Sequence, residues 1–353
     1  MSDVTDRTDP ASLAAYDELL DVRTPAEFAL DHVPGAINLP VLSNEERALV
    51  GAIYVQDSRM KARRIGAALV ARNIAGHLDG ALEDRPGSYA PLIYCWRGGQ
   101  RSLAMATVLA QVGWRPTRLA GGYMTYRRRV TAALYEAGAP QRLIVLDGYT
   151  GSAKTEILSR LAALAVQTLD LEGLASHRGS LFGAIAGQGQ PSQKMFESRL
   201  LAELEHFDPA RPVVVEAESS KIGQLNLPPV LWKAMASAPR IELDVPRAAR
   251  VAYLLAVYGD IAADAPTVAS ALAALPGRHS RKQVGVWRDQ LEHGQFHDLA
   301  ASLVELHYDP AYERSGRAEE RRALGVVAMT DLSPDRQQEA ARQVASLVKG
   351  MAE

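Results

Sequence analysis

The chain has 353 residues and a formal net charge of −2, with 47% hydrophobic and 23% charged residues. This composition is that of a folded globular protein and excludes a disordered or fibrous chain, while the length predicts two domains. A near-neutral charge excludes a global positive field for nucleic acid, so any RNA contact must come from a local patch.

The only cysteine is Cys95, which excludes an intramolecular disulfide and a two-thiol relay within one subunit. The first ten residues are polar, and no later stretch has the roughly 20 uninterrupted apolar residues of a membrane span. We therefore expect a cytoplasmic protein with no membrane partner.

The first 137 residues predict an α/β domain. Thr24-Pro25-Ala26-Glu27 is typical of a helix start, with an N-cap, a first-turn proline and a capping-box carboxylate. Strands are predicted over 19–23 and 91–94, with a turn over 32–36 leading into 37–39, and helices are predicted over 58–74, 102–112 and 123–137. Residues 138–140 read as a linker, so we predict domains over 1–137 and 141–353.

The second domain repeats the alternation of strands and helices. Strands are predicted over 142–147, 168–171, 212–217 and 240–245, and helices over 154–165 and 193–207. Strands separated by helices predict a mostly parallel sheet covered on both faces. Beyond Arg247 the pattern is mainly helical, which we interpret as a helical C-terminal extension.

The segment from Cys95 to Arg101 is predicted to be a reactive cysteine loop. Cys95 ends a strand and is followed by Trp96-Arg97-Gly98-Gly99-Gln100-Arg101 and then a helix. Gly98, Gly99 and Gln100 would turn their amides inward into an anion cradle, which favours a thiolate, and Arg97 and Arg101 add positive charge. The alternative to a reactive Cys95 is a cysteine buried as an ordinary apolar residue after the strand. Loop geometry alone leaves a persulfide-type transfer site and a thiolate phosphatase both open.

Two further segments join this loop in a resemblance. Asp21-Val22-Arg23-Thr24-Pro25-Ala26-Glu27-Phe28 and Asp31-His32-Val33-Pro34-Gly35-Ala36-Ile37-Asn38 together with the Cys95 loop resemble a rhodanese domain. The resemblance implies that Cys95 carries sulfur or selenium. Five residues separate Cys95 and Arg101, one more than in many rhodaneses and similar to phosphatases of the same fold. A wider cradle would suit a phosphate-bearing donor such as selenophosphate.

Gly148-Tyr149-Thr150-Gly151-Ser152-Ala153-Lys154-Thr155 follows a strand and opens a helix, as in a P-loop. Amides from Gly148, Gly151 and Ser152 would wrap a phosphate, Lys154 would reach it and Thr155 would ligate Mg²⁺. Ala153 replaces the second glycine of the pattern, so we expect phosphate binding more than nucleotide hydrolysis.

Two carboxylates and two basic clusters are secondary candidates. Glu216 and Glu218 lie on the same face at the end of a predicted strand and are candidates to hold Mg²⁺ or to orient water. The alternative is that they only solvate the end of the sheet. Arg278, Arg281 and Lys282, in a predicted loop, are candidates for RNA contact, ahead of Arg127-Arg128-Arg129, which is equally a solvated helix face. Histidine spacing predicts no structural metal.

The complete set of motifs resembles the tRNA 2-selenouridine synthase family from about Leu19 to Tyr312. The motifs that carry the resemblance are the rhodanese segments, the P-loop, His177-Arg178-Gly179-Ser180, Gln190-Pro191-Ser192-Gln193-Lys194, Glu216-Ala217-Glu218-Ser219 and His307-Tyr308-Asp309-Pro310. Their order within one chain is more specific than any one of them.

The resemblance implies a transferase that acts on 2-thiouridine at the wobble position of tRNA. Such an enzyme attaches a geranyl group from geranyl diphosphate to sulfur and then replaces the geranylthio group with selenium from selenophosphate, using Cys95. We expect the P-loop to hold geranyl diphosphate, with Mg²⁺ as a candidate ion and ATP or GTP left open. The expected partners are this tRNA and a selenophosphate-supplying enzyme.

Two other functions stay open at this point. One is a rhodanese-fold phosphatase or sulfurtransferase fused to a nucleotide-binding domain. The other is a non-catalytic tRNA-binding module whose two loops only sense anions. The intact Cys95, Lys154 and Thr155 argue against the second.

Overall fold

The computed structural model describes residues 3–137, 141–180, 183, 187–257, 265–273, 275, 279–314 and 322–351. The chain forms two compact units, one of residues 1–137 with 192–205 and the other of residues 138–191 with 206–353. Arg278 and the linker 138–140 lie outside the described residues.

Unit 1 is built on a five-stranded parallel sheet of order β1-β5-β4-β2-β3. Its strands are β1 (Asp3–Thr5), β2 (Leu19–Asp21), β3 (Ile37–Asn38), β4 (Leu92–Tyr94) and β5 (Thr117–Leu119). Its first six helices are α1 (Pro10–Leu13), α2 (Pro25–Leu30), α3 (Asn44–Gln56), α4 (Arg59–Leu78), α5 (Gln100–Val112) and α6 (Tyr123–Thr131), the last followed by a π-helical turn (Ala132–Glu136).

Local sequence explains why these elements begin and end where they do. The predicted capping box is confirmed, because Thr24 accepts a hydrogen bond from the Glu27 amide and Glu27 accepts one from the Thr24 amide. Strand β4 is buried along its whole length, as its apolar sequence predicts. Helix α5 ends at Gly113, whose φ of 104° suits a glycine cap.

Unit 2 holds a second five-stranded parallel sheet, of order β12-β11-β6-β8-β7. These strands are β6 (Leu143–Asp147), β7 (Gln167–Leu169), β8 (Val213–Glu216), β11 (Arg240–Asp244) and β12 (Ala323–Ala328), and a small hairpin pairs β9 (Lys221–Ile222) with β10 (Leu225–Asn226). The later helices are α7 (Lys154–Ala163), α8 (Leu171–Ala175), α9 (Gln193–His206), α10 (Pro229–Ser237), α11 (Arg247–Val257), α12 (Ala265–Ala273), α13 (Arg281–Glu292), α14 (Phe296–Leu303), α15 (Asp309–Arg314) and α16 (Pro334–Lys349), with a π-helical turn at Val304–Tyr308.

The core of unit 2 packs α7 and α16 on the sheet through residues such as Leu158, Leu161, Val344 and Val348. A second apolar cluster around the fully buried Trp287 holds α12, α13 and α14 together. The parallel α/β prediction is thus confirmed for both units. One strand, β12, lies within the region expected to be mainly helical. It is an edge strand, and its short apolar run with the adjacent β-branched residues Val326 and Val327 suits a strand.

Helix α9 follows the P-loop segments in sequence, yet residues 192–205 group with unit 1. Arg127 and Arg129 of α6 form ion pairs with Glu197 and Glu205 of α9. The Tyr135 hydroxyl also donates to Glu197, at 2.6 Å. These polar contacts join residues distant in sequence, which hydrophobic periodicity does not predict.

Within the described ranges, the helices include none that is long and apolar enough to cross a membrane.

Candidate functional sites

Cys95 directly follows β4, the central strand of unit 1. The chain leaves β2 toward one edge of the sheet and leaves β4 toward the other, so the loops after β2 and β4 diverge. Such a divergence at the carboxyl ends of parallel strands opens a crevice that commonly binds ligands. The predicted cysteine loop therefore lies where this fold builds a site.

Two polar groups lie against the Cys95 sulfur. The Gly99 amide donates to Sγ at 3.2 Å, and the Ser102 hydroxyl, which donates to the Gly99 carbonyl at 3.1 Å, lies 3.3 Å from it. Gly99 is the N-cap of α5, so the first turn of that helix faces the sulfur. The Gly99 amide and the helix N-terminus favour negative charge on the sulfur, while only 3% of Cys95 is exposed.

Helix α6 holds the cysteine loop in place from behind. The Tyr123 amide donates to the Cys95 carbonyl at 2.8 Å and the Met124 amide to the Trp96 carbonyl at 3.2 Å. Gly122, with φ of 60°, packs so closely that a Cβ there would lie 2.2 Å from the Cys95 oxygen. Gly98, with φ of 65°, packs similarly against the end of β5. The loop therefore depends on glycines both inside it and opposite it.

The two predicted arginines have different surroundings. Arg97 is exposed, as is Gln100 at the start of α5. Arg101 instead forms an ion pair with Glu27, with 2.6 Å between Nη1 and Oε2. Burial opposes the charge on Glu27, but the hydrogen bond and charge of Arg101 outweigh it and lower the pKa of Glu27. Glu27 was predicted only as a helix cap.

A buried ion pair lies beneath the loop. Arg23 is 1% exposed and makes a bidentate contact with Asp21. Its guanidinium also lies 4.0 Å from the ring centroid of Tyr123. The first segment of the rhodanese resemblance thus packs against the cysteine loop, where the Arg23 guanidinium lies 5.9 Å from the Trp96 ring centroid.

The P-loop prediction agrees with the local geometry of unit 2. The loop follows β6, the central strand, and opens α7. Gly148 and Gly151 have φ of 154° and 85°, and Ala153 takes a left-handed φ of 57°. Ser152 is buried and its hydroxyl donates to the Tyr149 carbonyl at 2.5 Å. Ala153 therefore adopts the glycine-like conformation at a cost in strain.

Lys154 and Thr155 are both engaged by neighbouring groups. The Lys154 ammonium donates to the Gly148 carbonyl at 2.9 Å, across its own loop. The Thr155 hydroxyl donates to Glu172 at 3.0 Å. An anion in the loop would compete for both groups.

Three glutamates meet beside Thr155. The Glu172 amide donates to Glu216 at 2.7 Å, and Glu172 shares a hydrogen bond with Glu218. Burial and then the charge of Glu218 raise the pKa of Glu172 to about 8. Burial and then the charge of Glu172 raise the pKa of Glu216 well above its usual value. At neutral pH Glu172 therefore retains a proton that an ordinary carboxyl releases.

The two predicted carboxylates, Glu216 and Glu218, have different surroundings. Glu218 lines the cavity beside the P-loop, whereas Glu216 is fully buried at the end of β8. The described part of the chain contains no group of three or more His, Cys, Asp or Glu side chains arranged to hold a metal ion.

A cavity of about 540 Å³ brings distant motifs together. Its lining includes the P-loop, Arg178 to Ser180, Ala217 to Ser219 and His307 with Tyr308. Gln190 instead supports the surrounding loops, donating to the carbonyls of Ala175 and Ile222 and accepting from the Gln224 amide. Separate segments of the resemblance therefore form one site.

The sequence did not predict how α11 and α15 hold the P-loop. Arg250 forms a buried bidentate ion pair with Asp309 and donates to the Thr150 carbonyl at 3.1 Å. Tyr312 donates to Asp147 at 2.6 Å. No motif spacing marks these pairs, because the partners are separated by many residues.

The basic clusters are placed differently from the prediction. Arg281 and Lys282 are exposed in the first turn of α13, so the predicted loop is wrong at these two positions, where Ser280 caps the helix. Arg127 and Arg129 are used in ion pairs with α9. Arg278 lies outside the described residues.

The two units define a rhodanese-type domain joined to a P-loop domain. A rhodanese-like domain family model matches residues 6–129. A model described as the tRNA 2-selenouridine synthase AAA domain matches residues 141–272.

Similar curated proteins share that second description. The tRNA 2-selenouridine synthase of Cupriavidus pinatubonensis is 34% identical across 89% of this chain and 92% of its own. Those of Aeromonas salmonicida and Chromohalobacter salexigens are 40% and 41% identical across 66% and 65% of this chain. The latter two matches span 62% and 61% of the relatives' length, just under two thirds. This chain belongs to the tRNA 2-selenouridine synthase family.

Proposed function

We propose that the chain is a transferase that replaces the sulfur of 2-thiouridine at the wobble position of tRNA with selenium. Family membership supports this reaction. The observation that carries the proposal is the pairing of a cysteine held in a donor cradle in one unit with a phosphate loop in the other. Activation of sulfur and entry of selenium are then separate reactions at separate sites.

In the first reaction, the thione sulfur of the base attacks the first carbon of geranyl diphosphate. The carbon–oxygen bond breaks, diphosphate leaves and the base loses its N3 proton. The P-loop amides and Lys154 stabilise the leaving diphosphate, since its negative charge grows as the bond breaks. Lys154 would exchange the Gly148 carbonyl, 2.9 Å away, for a phosphate oxygen.

In the second reaction, the geranylthio group is displaced from C2 of the base. Selenium in selenophosphate is already at the selenide level, so loading it on Cys95 as a perselenide would require a two-electron oxidation. A redox-neutral route has the Cys95 thiolate displace geranylthiolate from C2, after which the selenium of selenophosphate displaces Cys95. Water then cleaves the phosphorus–selenium bond and releases phosphate.

The cradle supplies charge stabilisation in this route. The Gly99 amide, 3.2 Å from Sγ, favours Cys95 both as attacking thiolate and as leaving group. Arg97 is exposed, so its positive charge is accessible to an anionic donor such as selenophosphate. Arg101 acts together with Glu27, because the two form one ion pair.

Several components stay predictions. Mg²⁺ beside Thr155 stays a prediction, and the steps above are written without it. ATP or GTP at the P-loop stays open. Contact of tRNA with the exposed Arg281 and Lys282 stays a prediction, as does a selenophosphate-supplying partner.

The role of the P-loop is tested with Lys154→Ala. Geranyl transfer to tRNA containing 2-thiouridine should fall about 100-fold, as when one preorganised charge-stabilising donor is removed. Lys233→Ala, at an exposed position of α10, is the matched control and should keep full activity. Full geranyl transfer by Lys154→Ala would overturn the assignment of diphosphate to this loop.

A further inference from the structure

The cavity beside the P-loop has two unlike walls. On one side are the carboxyls of Glu172 and Glu218. On the other, α11 contributes Tyr253, Leu254 and Val257. Ala311 and Tyr308 extend this second wall. We name Leu254, Val257 and Ala311, whose side chains carry no polar atom, the apolar wall.

Strand order explains why the two walls oppose each other. The P-loop strand β6 pairs with β8 on one side and β11 on the other. Glu218 follows β8 and Glu172 follows β7, beyond it. Helix α11 follows β11. Acidic and apolar groups therefore flank the P-loop from opposite directions.

The apolar wall is fixed against the P-loop. Arg250 of α11 pairs with Asp309 of α15 and also donates to the Thr150 carbonyl in the loop. A Cβ on Gly151 would lie 2.9 Å from Leu254 Cγ, so the helix packs on the loop without a gap. The ligand contacts at the phosphate end and along α11 are thus preorganised relative to each other.

The two walls offer different surroundings to a group attached to a diphosphate at the loop amides and Lys154. On the side of Glu218 and Arg178 that group would meet charged side chains, whereas on the side of α11 it would meet Leu254 and Val257. There the aliphatic side chains of Leu254 and Val257 offer burial to hydrocarbon but no hydrogen bonds to a ribose or a base edge. A cavity of about 540 Å³ is within the usual size of small-molecule sites.

We infer that the apolar wall binds the hydrocarbon chain of an isoprenoid diphosphate whose diphosphate occupies the P-loop, and that it selects for chain length. This inference rests on the proposed geranyl transfer. It identifies the surface that recognises the hydrocarbon chain of the ligand. A nucleoside triphosphate is the competing occupant.

The test is calorimetric binding of inorganic pyrophosphate, dimethylallyl diphosphate, geranyl diphosphate and ATP to the full chain. The wild-type affinity should rise with each added isoprene unit, because each unit buries further apolar surface. Val257→Thr keeps the side-chain shape and adds a hydroxyl, and Ala311→Phe fills the wall. Both should weaken geranyl diphosphate about tenfold while leaving pyrophosphate binding unchanged.

Two control variants match these changes in residue type. Val286→Thr lies on α13 outside the cavity lining, and Ala252→Phe lies at an exposed position of α11. Both should preserve the dependence on chain length. Unchanged pyrophosphate binding by Val257→Thr and Ala311→Phe would also show that these variants are folded.

The outcomes separate the inference from the proposed function. If geranyl diphosphate and pyrophosphate bind equally to the wild type, or if the wall variants weaken both equally, the inference is overturned while a diphosphate site stands. If Val257→Thr instead weakens ATP selectively, the wall binds a nucleoside and the inference is overturned. If neither pyrophosphate nor geranyl diphosphate binds, the proposed function of the P-loop itself fails.

Discussion

At the scale of single residues, both sites depend on backbone geometry that only particular side chains allow. The Cys95 loop closes against Gly122, and the P-loop places Ala153 in a left-handed conformation. The cysteine and the P-loop lysine could be predicted because their motifs are local. The partner of Arg101 could not, because Glu27 is distant in sequence and already explained as a helix cap.

Gly122→Ala tests how the Cys95 loop is supported. A Cβ would meet the Cys95 carbonyl at 2.2 Å and the Gly98 amide nitrogen at 2.5 Å, so the loop must shift. We expect the free energy of unfolding to fall by about 1–3 kcal/mol and the rate of Cys95 alkylation to change. Gly87→Ala, with no heavy atom within 4 Å of the new Cβ, is the control. Wild-type values for Gly122→Ala in both measurements would contradict this view.

The glutamate cluster predicts how stability depends on pH. The pKa of Glu172 is raised to about 8, from an ordinary 4.5. Between these values the folded state retains a proton that the unfolded state has lost, so stability falls as pH rises through this window. One such proton contributes up to about 1.4 kcal/mol per pH unit.

Glu172→Gln checks this sign. The variant has no carboxyl to ionise at this position. Its free energy of unfolding, measured with urea from about pH 5 to about pH 8, should therefore decline less with rising pH than that of the wild type. The variant should also gain stability relative to wild type toward the alkaline end. An equally steep decline would show that Glu172 does not retain the proton.

At the scale of elements, strands and caps follow local sequence closely. Strand β6 is buried at every position, which its apolar run predicts, and the capping box of α2 forms as predicted. Elements whose position depends on partners distant in sequence cannot be predicted from local sequence. Helix α9 groups with unit 1 and forms ion pairs with α6, and β12 is paired on one side only, as an edge strand. Hydrophobic periodicity reports burial, and it carries little information about polar pairing at long range.

The attachment of α11 to the P-loop gives a prediction at this scale. Arg250→Leu leaves Asp309 buried without its bidentate partner, since the two are 4% and 6% exposed. We expect a loss of about 3–5 kcal/mol in the free energy of unfolding. The double variant Arg250→Leu with Asp309→Leu removes both charges and should recover much of that loss. If the double variant were as unstable as the sum of both single changes, the pair would not be the source of the effect.

At the scale of the whole molecule, each unit carries its functional loop after the central strand of a parallel sheet. Cys95 follows β4 and the P-loop follows β6, at points where the chain leaves adjacent strands in opposite directions. The order of motifs indicated the family and both fold types. The cavity in unit 2 could not be predicted, because it joins segments that approach only after the sheet forms.

In the proposed reaction Cys95 carries out the selenium step and the P-loop carries out sulfur activation. Mass spectrometry of nucleosides from 2-thiouridine tRNA treated with Cys95→Ser, geranyl diphosphate and selenophosphate measures both steps. The geranylthio nucleoside should accumulate, and no 2-selenouridine should form. Formation of 2-selenouridine at the wild-type rate by this variant would show that Cys95 does not carry out the selenium step.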